Sequence, residues 1–351
     1  MNKNKFTKYL AIGILISVTG YFIGNYLWYN PIFFEQRTPK RFFWISGMFM
    51  ADSIPIIEEN HAKIDFLSPT WYGLDENAQI YNIYENIPES AALMTQIIAL
   101  GAAHSIPIHP LISTDKIDRL YQILKSETLQ DDFILKLNAD AKKYGFTGYN
   151  IDFEGLDASY RDLFTDFYRN IRKGLESVYE LSIAVPAKQS DTKTGWDGWC
   201  DYAALGKVSD MFMLMTYDLH GGWSDPGEVA STSWVKRVLA YATRAVVVEK
   251  IYAGIPFYGY DWSDNPDWQN WGFGYPHFEH ALQTYNGQVT RTDDGYEIRL
   301  EYTDAQGYPH LAYYCDAETS IQKEAFLSSY PIGGYCYWHL SCGDPSYWDK
   351  G

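Results

Sequence analysis

Cysteine is scarce: four in 351 residues. So few exclude a disulfide-built scaffold, and none form a C-x-x-C pair, which leaves a zinc or thiol-redox centre without support. Basic charge is scarce as well. Twenty-eight Lys and Arg stand against 44 Asp and Glu, a formal net charge of −16. A surface of that sign repels phosphate backbones, so no nucleic-acid partner is expected. No G-x-G-x-x-G follows the first apolar run, which weighs against the open doubly wound sheet of dinucleotide-binding proteins. No internal repeat, low-complexity tract or long Pro/Ser linker is present. Disorder is excluded by 46% hydrophobic content against 21% charged. Aromatics are abundant instead, at 17% with 30 Tyr, 18 Phe and 12 Trp. Such an excess suits surfaces that touch sugars and suits a large core equally, and composition alone does not separate the two.

The first thirty residues carry Lys3, Lys5 and Lys8 and no acid, and no charge interrupts Tyr9 to Tyr29. At about 1.5 Å per residue this run spans roughly 30 Å of hydrocarbon. The basic flank predicts a tail that stays cytoplasmic and a remainder that is exported. Tyr26, Trp28 and Tyr29 have the character of an interfacial aromatic belt. Residues 1–30 are therefore expected to anchor the chain in a membrane. A cleaved signal peptide, and hence secretion, is the rival reading, although no clean A-x-A site follows. Residues 31–41 read as a tether and 42–351 as the exported domain. Export permits disulfides; Cys336 with Cys342 and Cys200 with Cys315 are the possible pairs, and free buried thiols are an equal alternative.

Beyond the tether, eight short apolar runs begin at Phe42, Ala62, Ser105, Gly148, Leu181, Asp210, Ile251 and Gly333. Segments with apolar residues at three- and four-residue spacing lie between most of them. Apolar strands alternating with amphipathic helices predict a parallel sheet covered on its outside, and eight such units predict an α/β fold, a (β/α)8 TIM barrel. The gap between strands seven and eight is the longest. Asp294-Gly295 followed by alternation to Tyr302 predicts a hairpin there, so a small α+β insertion is expected at about 272–316.

Active sites of such barrels lie at the C-terminal ends of the strands. The fourth run ends Tyr149-Asn150-Ile151-Asp152-Phe153-Glu154. Period two puts Asn150, Asp152 and Glu154 on one face, inward in a barrel. Carboxylates in a core are costly unless paired or functional. Partial burial and a like-charged neighbour predict a raised pKa, assigned here to Glu154, and a carboxyl protonated near neutrality is a general acid. His277 and His280 in HFEH read as a solvated loop without a matching ligand set. His109 and His339 are the histidines at strand ends, too few for a metal-dependent hydrolase. No metal and no cofactor are expected.

The segment TGYNIDFE (Thr147 to Glu154) resembles the D-G-x-D-x-D-x-E signature of family 18 glycoside hydrolases, the chitinases and related N-acetylglucosaminidases. It departs at Thr147 and Asn150, where most chitinases have Asp. Asn150 is similar to the branch holding di-N-acetylchitobiase and the peptidoglycan-directed, spore-cortex-type glucosaminidases. LMTYDLHGGW (Leu214 to Trp223), GIPFYGYDW and GGYCYW resemble strands six, seven and eight of that family, in order. The resemblance implies cleavage of a polysaccharide or oligosaccharide containing N-acetylglucosamine, peptidoglycan or chitin, with the substrate's own acetamido group as nucleophile. It implies Glu154 as acid, Asp152 as stabiliser of the cationic intermediate and Tyr217 as donor to the acetamido oxygen. Asn150 is expected to donate to Asp152. Trp338 is expected as the floor under the sugar and Met215 as wall. Asp218 reads as a sugar ligand or a helix N-cap. Trp262, with Trp268, Trp271, Phe273 and Tyr275, stacks on flanking sugars or forms a satellite core. A carbohydrate-binding protein with a dead site is the alternative, and the presence of Glu154 favours the enzyme.

Overall fold

The computed structural model describes residues 38–350. The expected membrane segment lies outside them. Among the described residues no helix is long and apolar enough to cross a membrane.

Eight parallel strands form a ring: Lys40–Ile45, Phe66–Leu74, Leu111–Thr114, Gly148–Phe153, Glu180–Pro186, Met211–Met215, Ile251–Pro256 and Gly334–Trp338, here barrel strands one to eight. Strand one pairs with both strand two and strand eight, which closes the ring, and a short antiparallel strand, Ile80–Asn82, is added to the end of strand two. A helix fills each crossover, as parallel neighbours require. The helix ends follow local chemistry. Ser126 accepts from Leu129 N (3.3 Å) to open Glu127–Tyr144, and Gly145 closes it at φ 75°, where a side chain would be strained. Asp201 and Asp316 cap Tyr202–Val208 and Ala317–Leu327 in the same way, accepting from Ala204 N and Thr319 N.

Strand four obeys the expected alternation. The Tyr149 hydroxyl donates outward to Leu137 O (2.7 Å) in the helical layer, and Phe153 packs on Phe133 and Phe167. Asn150 points into the ring, fully buried.

The insertion starts earlier than about 272. The apolar run from Ile251 is two strands rather than one. Barrel strand seven stops at Pro256, and Phe257 N donates to Trp338 O (2.8 Å) at the barrel rim. Tyr258–Ser263 then joins a separate antiparallel sheet, ordered Gly272–Gly274, Tyr258–Ser263, Pro309–Tyr314, Ile298–Thr303 and Gln288–Arg291. Pro256, which has no N–H to continue a ladder, stands at the break. Gly259 is its trace: a Cβ there would lie 2.2 Å from Tyr313 O, so only glycine admits this strand pairing. Helix Tyr275–Tyr285 lies on the sheet and supplies Phe278, stacked on Tyr314 at 4.3 Å. The turn at 293–295 is where Asp294-Gly295 placed it.

HFEH is helical, which corrects the loop reading. His277 Nε2 sits 2.9 Å from Asp261 Oδ2, its ring stacked on Phe273. All four cysteines are free thiols, three of them buried.

One buried ion pair fastens the insertion to the barrel. Glu297 accepts from Val229 N (2.7 Å), Ala230 N (2.8 Å) and Lys323 Nζ (3.1 Å). Neither charge is accessible to water to any useful extent, so losing one strands the other. Glu297→Ala is expected to cost about 3–5 kcal/mol of unfolding free energy, read from urea denaturation. A loss below about 1 kcal/mol, the worth of an exposed pair, would refute this role.

Candidate active site

A cleft of about 930 Å³ opens at the C-terminal ends of the barrel strands. Asp152 and Glu154 reach it from strand four, Met215, Tyr217 and Asp218 from strand six, Trp338 from strand eight and Trp44 from strand one. Of the eight expected site residues, six line this cleft, Asn150 lies beneath it and Trp262 lies outside it.

Asn150 corrects its expected role. Its Nδ2 donates to Ser182 Oγ (2.8 Å) and its Oδ1 accepts from Trp44 Nε1 (3.0 Å). It makes no hydrogen bond to Asp152; it fixes the cleft-lining Trp44 from below. An amide suits this place because it both donates and accepts, whereas a carboxylate would only accept.

Asp152 Oδ1 is buried without a hydrogen-bond partner among the described residues. Burial pushes its pKa well above the ordinary carboxylate range, and the charge of Glu154 adds to this. Glu154 opens onto the cleft, yet the surrounding walls strip much of its solvent; that loss raises its pKa, followed by the charge of Asp218. The expectation placed the raised pKa on Glu154. The effect reaches both carboxyls, because both lose water at the barrel mouth.

Asp218 is not a helix cap: the next helix starts only at Thr232. It adopts a left-handed backbone, φ 62°, and accepts from the hydroxyls of Tyr258 and Tyr260, the latter at 3.0 Å. Burial raises its pKa, while these two donors oppose the rise. The Tyr217 ring packs edge-on against Tyr258 at 6.0 Å, and burial raises its pKa far enough to keep the hydroxyl a donor. Trp338 meets Trp44 edge-on at 5.9 Å.

Trp262 does not line this cleft, which corrects its reading as a sugar-binding residue. Its Nε1 donates to Ser224 O (3.1 Å) and Gly221 O (3.3 Å), tying the loop after strand six to the insertion sheet. Trp268 donates to Asp261 O (2.9 Å), and Phe273 and Tyr275 pack on the insertion core, so the satellite-core alternative holds for these. Trp271 differs: it remains exposed. Sequence reasoning missed Trp44, Trp196, Trp223 and Tyr258 in the cleft lining. Tyr258 was hidden because the run from Ile251 reads as a single strand. His109 and His339 flank different strands and join no metal-ligating group among the described residues.

Two carboxyls of raised pKa beside an indole surface, in a cleft wide enough for a pyranose, are the equipment of a glycosidase that works by proton donation. Comparison with known proteins agrees. Residues 62–343 match Glycosyl hydrolases family 18, and the chain belongs to that family. It is 28% identical over 233 residues to the uncharacterized glycosylase YvbX of Bacillus subtilis, covering 66% of this chain and 68% of that one. It is 28% identical over 232 residues to the cortical fragment-lytic enzyme of Bacillus anthracis, 64% of this chain and 54% of that protein, so it spans about half of that relative. The crystal structure of the Bacillus cereus spore cortex-lytic enzyme SleL superposes with a TM-score of 0.79 at 22% identity, over 89% of this chain and 73% of that one, a likeness of fold.

Asp218 sets up a pH test. Its negative charge helps to raise the Glu154 pKa, and a general acid works only while protonated, that is, below its pKa. Asp218→Asn removes that charge, lowers the Glu154 pKa and is expected to move the basic limb of the kcat/KM profile to lower pH. A shift to higher pH, or none, in a profile measured on an N-acetylglucosamine oligosaccharide would reject the coupling.

Proposed function

We propose that the chain is a retaining glycoside hydrolase of β-1,4-linked N-acetylglucosamine polymers, peptidoglycan before chitin, acting by substrate-assisted catalysis through an oxazolinium intermediate. The observation that carries this reading is Asp152 Oδ1, a buried acceptor left without a donor beside Glu154, whose pKa is raised by loss of solvent. A buried polar atom without a partner is costly, and a substrate acetamido N–H is the donor that would satisfy it.

The chemistry then follows in order. In the empty cleft, burial and mutual repulsion let the Asp152–Glu154 pair keep a proton. The acetamido N–H bonds to Asp152, favours its ionised form and leaves the proton on Glu154. Glu154 protonates the glycosidic oxygen. The acetamido carbonyl, held in line by the Tyr217 hydroxyl, attacks C1 as the leaving sugar departs. The positive charge of the oxazolinium faces ionised Asp152. Trp338 lies under the ring and Met215 against the acetamido methyl. Water, deprotonated by Glu154, opens the intermediate with net retention of configuration.

The names of the cortical and cortex-lytic relatives favour peptidoglycan over chitin. Residues 1–30 would hold the domain at the outer face of a membrane, or release it if cleaved. A carbohydrate-binding protein without turnover is the second reading. Glu154, present and with a raised pKa, weighs against it.

Incubating the exported part with chitooligosaccharides and with purified sacculi, and identifying the new reducing-end sugar by mass spectrometry, tests the substrate. N-acetylglucosamine at the new reducing end of sacculus fragments is the expected product. Release of no fragment from either substrate overturns the reading. Glu154→Gln is expected to lower turnover by at least about a thousandfold, the upper part of the range for lost acid catalysis, while oligosaccharide affinity is kept. Turnover within tenfold of the parent would reject the acid.

A further inference from the structure

We propose that Trp196 is a saccharide platform on the wall of the cleft and that Lys188 is the residue that positions it; the proposal rests on the glycosidase reading above. Residues 187–201, which connect strand five to helix Tyr202–Val208, contain neither helix nor strand. Such a segment has no ladder to satisfy its carbonyls, so partners must come from elsewhere. Two cations supply them. Lys188 is 1% exposed, and its Nζ donates to Thr192 O (2.9 Å), Asp197 O (3.2 Å) and Cys200 O (2.9 Å). An ammonium has three protons, and all three are spent on this one loop.

Arg161 reinforces the arrangement from the helix after strand four. Its Nη1 reaches Thr192 O (3.3 Å), Gly198 O (3.0 Å) and Cys200 O (3.2 Å), and its Nη2 bonds Asp191 Oδ1 (2.6 Å). The carbonyls of Thr192 and Cys200 thus accept from both cations. The loop's other tryptophan, Trp199, is buried edge-on against Phe164 at 4.8 Å and anchors its base. Between these fixed points the chain presents Trp196, which lines the catalytic cleft yet is 68% exposed.

Burying a lysine to hold a loop is costly, and so is leaving an indole in water. Both features are explained together if the loop exists to hold that indole against a sugar. The apolar face of a pyranose covers an indole, while its hydroxyls stay solvated or reach the polar wall that Gln189 and Ser190 provide. The platform serves a sugar ring other than the one over Trp338, because the two indoles belong to different walls, after strands five and eight.

The test measures chitohexaose affinity by titration calorimetry, in the full chain carrying Glu154→Gln so that nothing is hydrolysed. Trp196→Ala is expected to weaken binding at least fivefold, and Lys188→Met to weaken it by a similar factor. Because Lys188 acts through Trp196, adding Lys188→Met to Trp196→Ala is expected to change affinity by less than twofold further. Binding by Trp196→Ala within twofold of the parent overturns the platform. Full multiplication of the two effects overturns the positioning role, since a general structural defect would be independent of the indole. Should Lys188→Met not fold, Arg161→Gln, which removes donors to the same carbonyls, enters the same cycle. A Glu154→Gln parent that binds no chitooligosaccharide removes the glycosidase reading, and the platform with it. A parent that binds but is indifferent to Trp196 removes the platform alone.

Discussion

Removing water from a carboxylate is the constraint around which this cleft is organised. Asp152 projects into a closed ring of strands, where solvent is scarce and one of its oxygens has no donor. A lone buried acid of this kind would be a liability in a stable protein. Its neighbours make it usable. Glu154 lies two residues on, on the same face and nearer to solvent, and Asp218 adds charge from strand six. Together they keep a proton near the mouth of the barrel at pH values where isolated carboxyls are ionised.

The rest of the domain keeps that pair in place and shapes what reaches it. Asn150 bonds Trp44 and Ser182 rather than Asp152, so strand four is braced across the ring to strands one and five. The insertion sheet contributes Tyr258 and Tyr260, whose hydroxyls orient Asp218, and it is itself fastened by the Glu297–Lys323 pair. The loop after strand five is held by Lys188 and Arg161. Each wall of the cleft is therefore fixed by buried polar contacts and not by apolar packing alone.

Much of this was readable from residue patterns because the governing rules are local. Eight apolar runs alternating with helical spacing describe the barrel, and period two on a single strand places Asp152 inward and Phe153 outward. What escaped depended on contacts between residues distant in the chain. Pro256 marks the break at Phe257 locally, but where the chain goes next follows from pairing with Tyr313 and Tyr314, some fifty residues away in sequence. Trp262 looked like a sugar-binding residue because an exposed and a buried indole are identical in sequence; its bonds to Gly221 and Ser224 decide the matter. The partner of Asn150 was misassigned for the same reason, since Trp44 lies more than a hundred residues upstream. HFEH was read as a loop, yet its helix is stabilised by the sheet beneath it and by Asp261.

The central claim is that the substrate's acetamido group, placed between Asp152 and Tyr217, is the nucleophile. A thiazoline analogue of a chitooligosaccharide copies the bicyclic intermediate but cannot be turned over, so its inhibition constant measures the claim directly. The account predicts competitive inhibition at least tenfold tighter than binding of the parent oligosaccharide. Affinity no better than that of the parent oligosaccharide would contradict it.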